Sequence, residues 1–185
     1  MLVGDIMGTW QELDIDITVN SNTDDLQQVI NQCNTSVGDA KISAMFSEIA
    51  EVLTLFKNDF DRGVDDGAFE LADTSRSLQE LTIALNGSIA HQKLIDSIKI
   101  EEQGKNHYLV GTTIEHFYPL TIEKGRGEVR PINYQFLHYF TLSGKEIFSK
   151  YSRPTTPKPY VEPTFNEVVS RAESIMRRNI DNATK

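Results

Sequence analysis

Cysteine is almost missing from the sequence, since Cys33 is the only one among 185 residues. A single cysteine cannot form an internal disulfide or a zinc site with several cysteine ligands. The cysteine content therefore does not require an oxidising compartment. Cys33 shares a helical stripe with Leu26, Val29 and Ile30, which favours a small core residue over a nucleophile.

Long apolar runs are missing as well. No stretch approaches the ~18 consecutive apolar residues that would predict a membrane span. The first residues contain Asp5 and no basic segment followed by an apolar one, so we expect no secretory signal. These features predict a protein that is made in a cytoplasm and has no membrane partner.

Signatures of catalysis and metal binding are also missing. The sequence contains no Gly-x-Ser-x-Gly element, and its four histidines never reach the spacing of a zinc-binding helix. The segment Gly125-Arg126-Gly127 lacks the lysine and hydroxyl that complete a phosphate-binding loop. We therefore predict no enzyme activity and no cofactor. An active site assembled only by the tertiary structure is the alternative. The histidines are His91, His107, His116 and His138.

Basic residues are scarce in the first part of the chain. The net charge is −9, but residues 1–75 carry 15 acids and 3 bases, whereas residues 76–185 carry 12 acids and 15 bases. A solvated acidic face would explain this distribution. It would equally suit head-to-tail contacts between copies of the chain in a ring.

The N-terminal half contains one predicted strand and amphipathic helices. Apolar residues alternate with polar ones from Trp10 to Val19, which predicts a half-buried strand. The clearest helix is predicted from Asp39 to Phe60, where one apolar face is expected to enter the core. An acidic, glycine-containing segment, 59–67, is expected to end that helix, and a short helix is predicted to follow from Ser77. The residues of the apolar face are Ile42, Met45, Phe46, Ile49, Val52, Leu53, Phe56 and Phe60.

The C-terminal half predicts a β-meander, a proline-rich strap and a final helix. Strands are expected at 99–102, 108–112, 118–123, 134–142 and 146–151, with turns at Gly104 and Ser143-Gly144. Four prolines between 153 and 163 predict an extended strap, and Thr164 with Glu167 has the spacing of a capping box. Together the patterns predict an α+β fold: an antiparallel sheet packed with a long amphipathic helix and a C-terminal helix. We expect one domain over 1–185, comprising the N-terminal strand and helices (1–87), the meander and strap (88–163) and the C-terminal helix (164–181).

Four short segments of the C-terminal half carry a family resemblance. They are the helical turn with Leu94, Ser97 and Ile98, the Val-Gly strand ending at Gly111, the stretch Tyr118–Gly125 with Glu123, and Lys158–Phe165 with Pro159 and Pro163. In their order and spacing they resemble the tail-component family of lambdoid and related long-tailed bacteriophages, also described as neck proteins of the head-to-tail connector. The family usually has an Asp-Thr-Gly turn before the first segment, where this chain has Asn86-Gly87-Ser88.

The resemblance implies a structural virion protein rather than an enzyme. It implies a ring-forming subunit of the neck or upper tail, made in the host bacterial cytoplasm and surrounding the channel for genomic DNA without reading its sequence. We prefer a hexameric ring because phage tails have sixfold symmetry. A dodecamer, which would match the symmetry of portals, is the alternative. The implied partners are copies of the chain and other connector and tail proteins. A tail terminator or tail-completion protein is the alternative position.

Residues 123–131 are the predicted contact loop, at a subunit boundary or at the channel. The candidate residues combine alternating charges with a pair of glycines, and large aromatic residues are expected to anchor the interface. The same basic residues support a second hypothesis, a small DNA-binding protein, although the chain lacks a strong basic excess. The loop residues are Glu123, Lys124, Arg126, Glu128 and Arg130, and the anchors are Phe117, Tyr118 and Tyr134.

Overall fold

The computed structural model describes residues 6–11, 14–35, 40–86, 92–114, 117–140 and 144–185. The helices in these ranges are α1 (Asp24–Thr35), α2 (Ala40–Leu85), α3 (Gln92–Ser97), α4 (Phe117–Lys124) and α5 (Val161–Ala183). The strands are β1 (Ile6–Gln11), β2 (Asp14–Val19), β3 (Ile98–Gly104), β4 (His107–Thr112), β5 (Leu137–Phe140) and β6 (Glu146–Ser149). The predicted α+β class, with a long helix and a C-terminal helix, is confirmed.

The main sheet is antiparallel with the strand order β1-β2-β4-β3. In β2 the side chains of Ile15, Ile17 and Val19 are buried, as the alternation predicts. The predicted single strand from Trp10 to Val19 is wrong, because β1 ends at Gln11 and β2 begins at Asp14 as its antiparallel neighbour. Leu13 lies outside the described residues.

Helix α2 is much longer than predicted, since it runs without a break through 59–67 and through Ser77, where a separate short helix is predicted to begin. The two glycines of that segment lie where α5 crosses. A Cβ on Gly63 would lie 2.8 Å from Ile180 Cα, and a Cβ on Gly67 would lie 2.7 Å from Met176 Sδ. The glycines therefore permit close helix packing rather than ending the helix.

Helix α5 runs antiparallel to the second part of α2 and, with the sheet, encloses the core. Its buried stripe includes Val168, Ala172, Ile175 and Met176, although Val169 of the predicted stripe is half exposed. Arg178 and Asn179 donate hydrogen bonds to Glu70 on α2, and these bonds lower the pKa of the Glu70 carboxyl.

The predicted strand 118–123 is instead helix α4. Its buried residues, Pro119, Ile122 and Glu123, are spaced i, i+3, i+4, which is one face of a helix. Pro119 is tolerated because it lies in the first turn, where a backbone N–H has no partner within the helix. The meander is therefore interrupted, and β5 and β6 form a separate two-stranded sheet.

Candidate functional site

Two of the segments that carry the family resemblance contact each other directly in the fold. The carboxylate of Glu123 accepts hydrogen bonds from the backbone N–H groups of Tyr160 at 2.7 Å, Val161 at 3.1 Å and Glu162 at 3.3 Å. This carboxylate caps the N-terminus of α5, where N–H groups have no helical partner and the helix dipole favours negative charge.

Glu123 is thus buried within the subunit, and its assignment to an exposed contact loop is wrong. Its exposed fraction is 6% within one subunit. The predicted capping box of α5 is also wrong, because the helix begins at Val161, three residues before Thr164. Thr164 is buried inside the first turn, and Glu123 supplies the cap from a distant part of the sequence.

Gly125 redirects the chain immediately after α4. Its φ of +72° is in the left-handed region, and a Cβ there would lie 2.6 Å from the Thr155 carbonyl oxygen. On either side of this turn, Lys158 N–H donates to the Ile122 carbonyl at 2.8 Å, and Arg126 N–H donates to the Thr155 carbonyl at 3.1 Å. The strap is therefore held against both α4 and the residues that follow it.

The remaining family-like residues also have roles inside the subunit. The Ser97 hydroxyl donates to the Leu94 carbonyl at 2.6 Å and lies 2.7 Å from the Thr112 hydroxyl, so α3 is fixed to β4. Leu94 and Ile98 are buried. Gly111 leaves space for Asp14, whose Oδ1 would lie 1.6 Å from an added Cβ.

The strap delivers the start of α5 to the core. Pro159 is exposed, and Pro163 lies in the first helical turn, where its missing N–H has no cost. Phe165 packs partly buried against the core. Most of the family-like residues therefore make contacts inside the subunit.

One exposed surface is a hairpin that begins just after Gly125, which we call the hairpin arm (residues 126–140 and 144–155). Its base is closed by antiparallel bridges between Arg126 and Thr155 and between Val129 and Ser152, and β5 pairs with β6 further out. Neither β5 nor β6 has an extensive contact with another described element. The hairpin arm therefore projects from the main sheet and helices.

The hairpin arm exposes a group of large apolar side chains. Ile132 is 95% exposed and Tyr134 is 82% exposed. An open groove of about 790 Å³ lies beside them, with Phe136 and Phe148 in its lining. Such a concentration of apolar surface is typical of a contact site. Tyr134, a predicted anchor, is well placed for that role.

The other predicted contact residues have different positions. Lys124 is exposed at the end of α4, whereas Arg126 is half buried and donates to the Ser152 hydroxyl at 2.5 Å. Arg130 donates to Glu128 at 2.5 Å on the exposed side of the hairpin arm. Two of the three basic residues of the DNA-binding hypothesis are therefore engaged within the subunit.

The two other predicted anchors do not form an exposed surface. Tyr118 packs against the core, and burial raises the pKa of its hydroxyl. The backbone of Phe117 begins α4, but its side chain lies outside the described residues. Of the two predicted anchors whose side chains the structure describes, only Tyr134 is strongly exposed.

A second surface lies on helices, and we call it the helical arm (α1 and residues 40–59 of α2). The C-terminal end of α5 lies beside Gly63, so about 20 residues of α2, roughly 30 Å, extend beyond it. Helix α1 packs on this extension, where Ile30 and Ala50 are buried but lie outside the main core cluster.

The helical arm exposes the apolar face that the sequence predicts as core, so that prediction is wrong for most of the face. Only Phe60, the last of the predicted residues, joins the main core, whereas Phe46 and Leu53 are partly exposed. The side chain of Ile42 lies outside the described residues. Met45, Ile49, Val52 and Phe56 are between 40% and 64% exposed.

The two arms carry opposite formal charges. The helical arm contains five acidic and two basic residues, net −3, and the hairpin arm contains five basic and two acidic residues, net +3. The uneven charge of the sequence is therefore displayed on two separate apolar surfaces, an arrangement suited to contact between them.

No family model, no curated protein and no solved structure matches the chain. Within the described ranges, no group of three or more His, Cys, Asp or Glu side chains is placed to hold a metal ion. The same ranges contain no helix long and apolar enough to cross a membrane.

Sequence reasoning missed most of the apolar residues of the hairpin arm. Phe136, Phe148 and Tyr151 fall in predicted strands and no prediction covers Ile132, although all four are exposed. A signal is visible in retrospect, because Ile132, Tyr134 and Phe136 alternate directly after Pro131, before any strand begins.

Proposed function

We propose that the chain is a non-enzymatic structural subunit that assembles into a ring in the neck or upper tail of a long-tailed bacteriophage. One observation carries the proposal: a single chain exposes two separate apolar arms of opposite charge. Two different contact surfaces on one subunit produce head-to-tail association, which closes into a ring when the rotation between copies permits.

The resemblance to neck proteins supports the phage assignment. Two of its four segments contact each other directly: Glu123 caps α5, Gly125 redirects the chain, and the strap is hydrogen-bonded on both sides of that turn. This shared unit would act as the scaffold of the family, and the arms would be the parts that contact neighbours. A tail terminator or tail-completion ring is the alternative position, and the geometry of one subunit fits it equally.

The proposed ring would surround DNA without recognising a sequence. A hexamer is the preferred order, with a dodecamer as the alternative, and the neighbours in the virion would be other connector and tail proteins. The net charge of −9 suits a channel that DNA passes through without binding to it, because a negatively charged protein does not attract the phosphates.

The test is electron microscopy of the purified protein, combined with size-exclusion chromatography and light scattering over a range of protein concentrations. We expect closed rings with six or twelve copies and no gain in stability on adding duplex DNA. Monomers at all concentrations would contradict the ring. Salt-sensitive binding of duplex DNA by those monomers would instead support the DNA-binding alternative.

A further inference from the structure

The two arms offer different kinds of apolar surface, a helical stripe and an open groove, as well as opposite charges. On the helical arm, Met45, Ile49, Val52 and Phe56 are spaced i, i+4, i+7, i+11, which makes one continuous stripe along the exposed side of α2. The hairpin arm offers an open groove with Tyr134 and other aromatic residues along it. An amphipathic helix placed in an apolar groove is a recurrent mode of protein recognition.

We infer that the hairpin arm of one subunit docks on the helical arm of the next copy. This inference rests on the proposed self-assembly and specifies the two surfaces that meet. The stripe of α2 lies along the groove of the hairpin arm, and Tyr134 is the central aromatic anchor, as expected for a residue that is 82% exposed in the single subunit.

Charge selects this pairing over the symmetric ones. Glu48 and Glu51 are exposed beside the apolar stripe of the helical arm, and Lys145 and Lys150 are exposed on the hairpin arm. Contact between two hairpin arms would bring net +3 against net +3, and contact between two helical arms would bring −3 against −3. Only the unlike pairing brings opposite charges together, so the favoured interface is heterologous.

The occupant is a second copy because both complementary surfaces are on the same chain. Within one subunit the stripe of the helical arm remains exposed, and β5 and β6 make no extensive contact with α1 or α2 among the described elements. The described residues of each copy therefore present an exposed surface of each kind.

The test uses two complementary double variants of the full chain. The first, Ile132→Glu with Tyr134→Glu, blocks the hairpin arm, and the second, Ile49→Glu with Val52→Glu, blocks the helical arm. All four side chains are exposed, so both variants should fold, which circular dichroism and thermal unfolding verify. Val169→Glu with Leu85→Glu is the matched control, since both residues are exposed outside the two arms.

We expect each blocked variant alone to be a monomer of 20.9 kDa. A 1:1 mixture should form a dimer and stop there, because only one intact pair of surfaces remains. The control variant should assemble like the wild type. Light scattering after size-exclusion chromatography measures all five samples, the wild type included.

The outcomes separate this inference from the proposed function. Suppose that the wild type forms rings and that a blocked variant, without its counterpart, also forms rings or dimers. This result would overturn the docking but leave the ring proposal intact. A mixture that stays monomeric would do the same. A monomeric wild type would contradict both proposals. If the wild type formed open filaments while the two blocked variants formed a mixed dimer, only the closed ring would be contradicted.

Discussion

At the scale of single residues, Glu123 stabilises the fold although nothing in the local sequence marks it as a helix cap. Its carboxylate accepts three backbone N–H groups at the start of α5 and is buried while doing so. Because Gly125 follows two residues later, the same short segment both caps the last helix and starts the hairpin arm. A change at Glu123 therefore acts first on the start of α5.

We predict that Glu123→Ala lowers the free energy of unfolding by about 2–4 kcal/mol, since a helix cap is lost and buried N–H groups are left without an acceptor. Glu123→Gln should lower it less, because one amide oxygen can still accept. Glu162→Ala is the control, as Glu162 is an exposed residue of the same helical turn. Urea unfolding followed by circular dichroism measures the three variants, and equal stability of Glu123→Ala and Glu162→Ala would contradict the capping role.

At the scale of elements, the long helix α2 has two functions in its two parts. From Phe60 onward it packs on α5 and the sheet, and before that it forms the exposed helical arm. The change occurs near Gly63, where a side chain would meet the backbone of α5 at Ile180. Close contact between the helices therefore begins at this glycine.

We predict that Gly63→Ala destabilises the fold by about 1–3 kcal/mol through overpacking, although alanine favours an isolated helix by ~1 kcal/mol over glycine. Gly67→Ala should cost less, because its nearest neighbour is the flexible side-chain sulfur of Met176. Thermal unfolding of both variants provides the comparison. A stabilised Gly63→Ala would mean that α5 lies further from α2 than the structure indicates.

At the scale of the whole molecule, negative and positive charge lie on different arms: the helical arm is acidic and the hairpin arm is basic. Residues 1–75 carry a net −12 and residues 76–185 a net +3, and the arms display this difference on their surfaces. Charges of this kind govern the rate and orientation of association more than its final strength, which depends on buried apolar anchors.

We predict that high salt slows the assembly of wild-type subunits about tenfold or more without dissolving completed rings, because salt screens exposed charges but leaves apolar contacts intact. At low salt, the double variant Lys145→Glu with Lys150→Glu should also assemble more slowly than the wild type. Stopped-flow light scattering measures the rate, and Lys99→Glu, on the exposed side of β3, is the control. Assembly equally fast in low and high salt would contradict steering by charge.

The sequence by itself determined the elements whose pattern is local. The alternation of Ile15, Ile17 and Val19 identified β2, and the stripe through Val168, Ala172 and Ile175 identified α5, because periodicity reports which side chains share a face. The α+β class followed from helices followed by strands, although the predicted strand at 118–123 proved to be α4.

Only the tertiary structure decided what covers each face. The periodicity of α2 places Met45, Ile49 and Val52 on one side, but it cannot tell whether that side meets the core or remains open. Likewise, Gly63 has the sequence signal of a helix end, and the approach of Ile180, more than a hundred residues later, explains its place inside a helix. Glu123 caps α5 for the same physical reason: burial and hydrogen bonding depend on residues brought together by folding, and these contacts leave no local pattern.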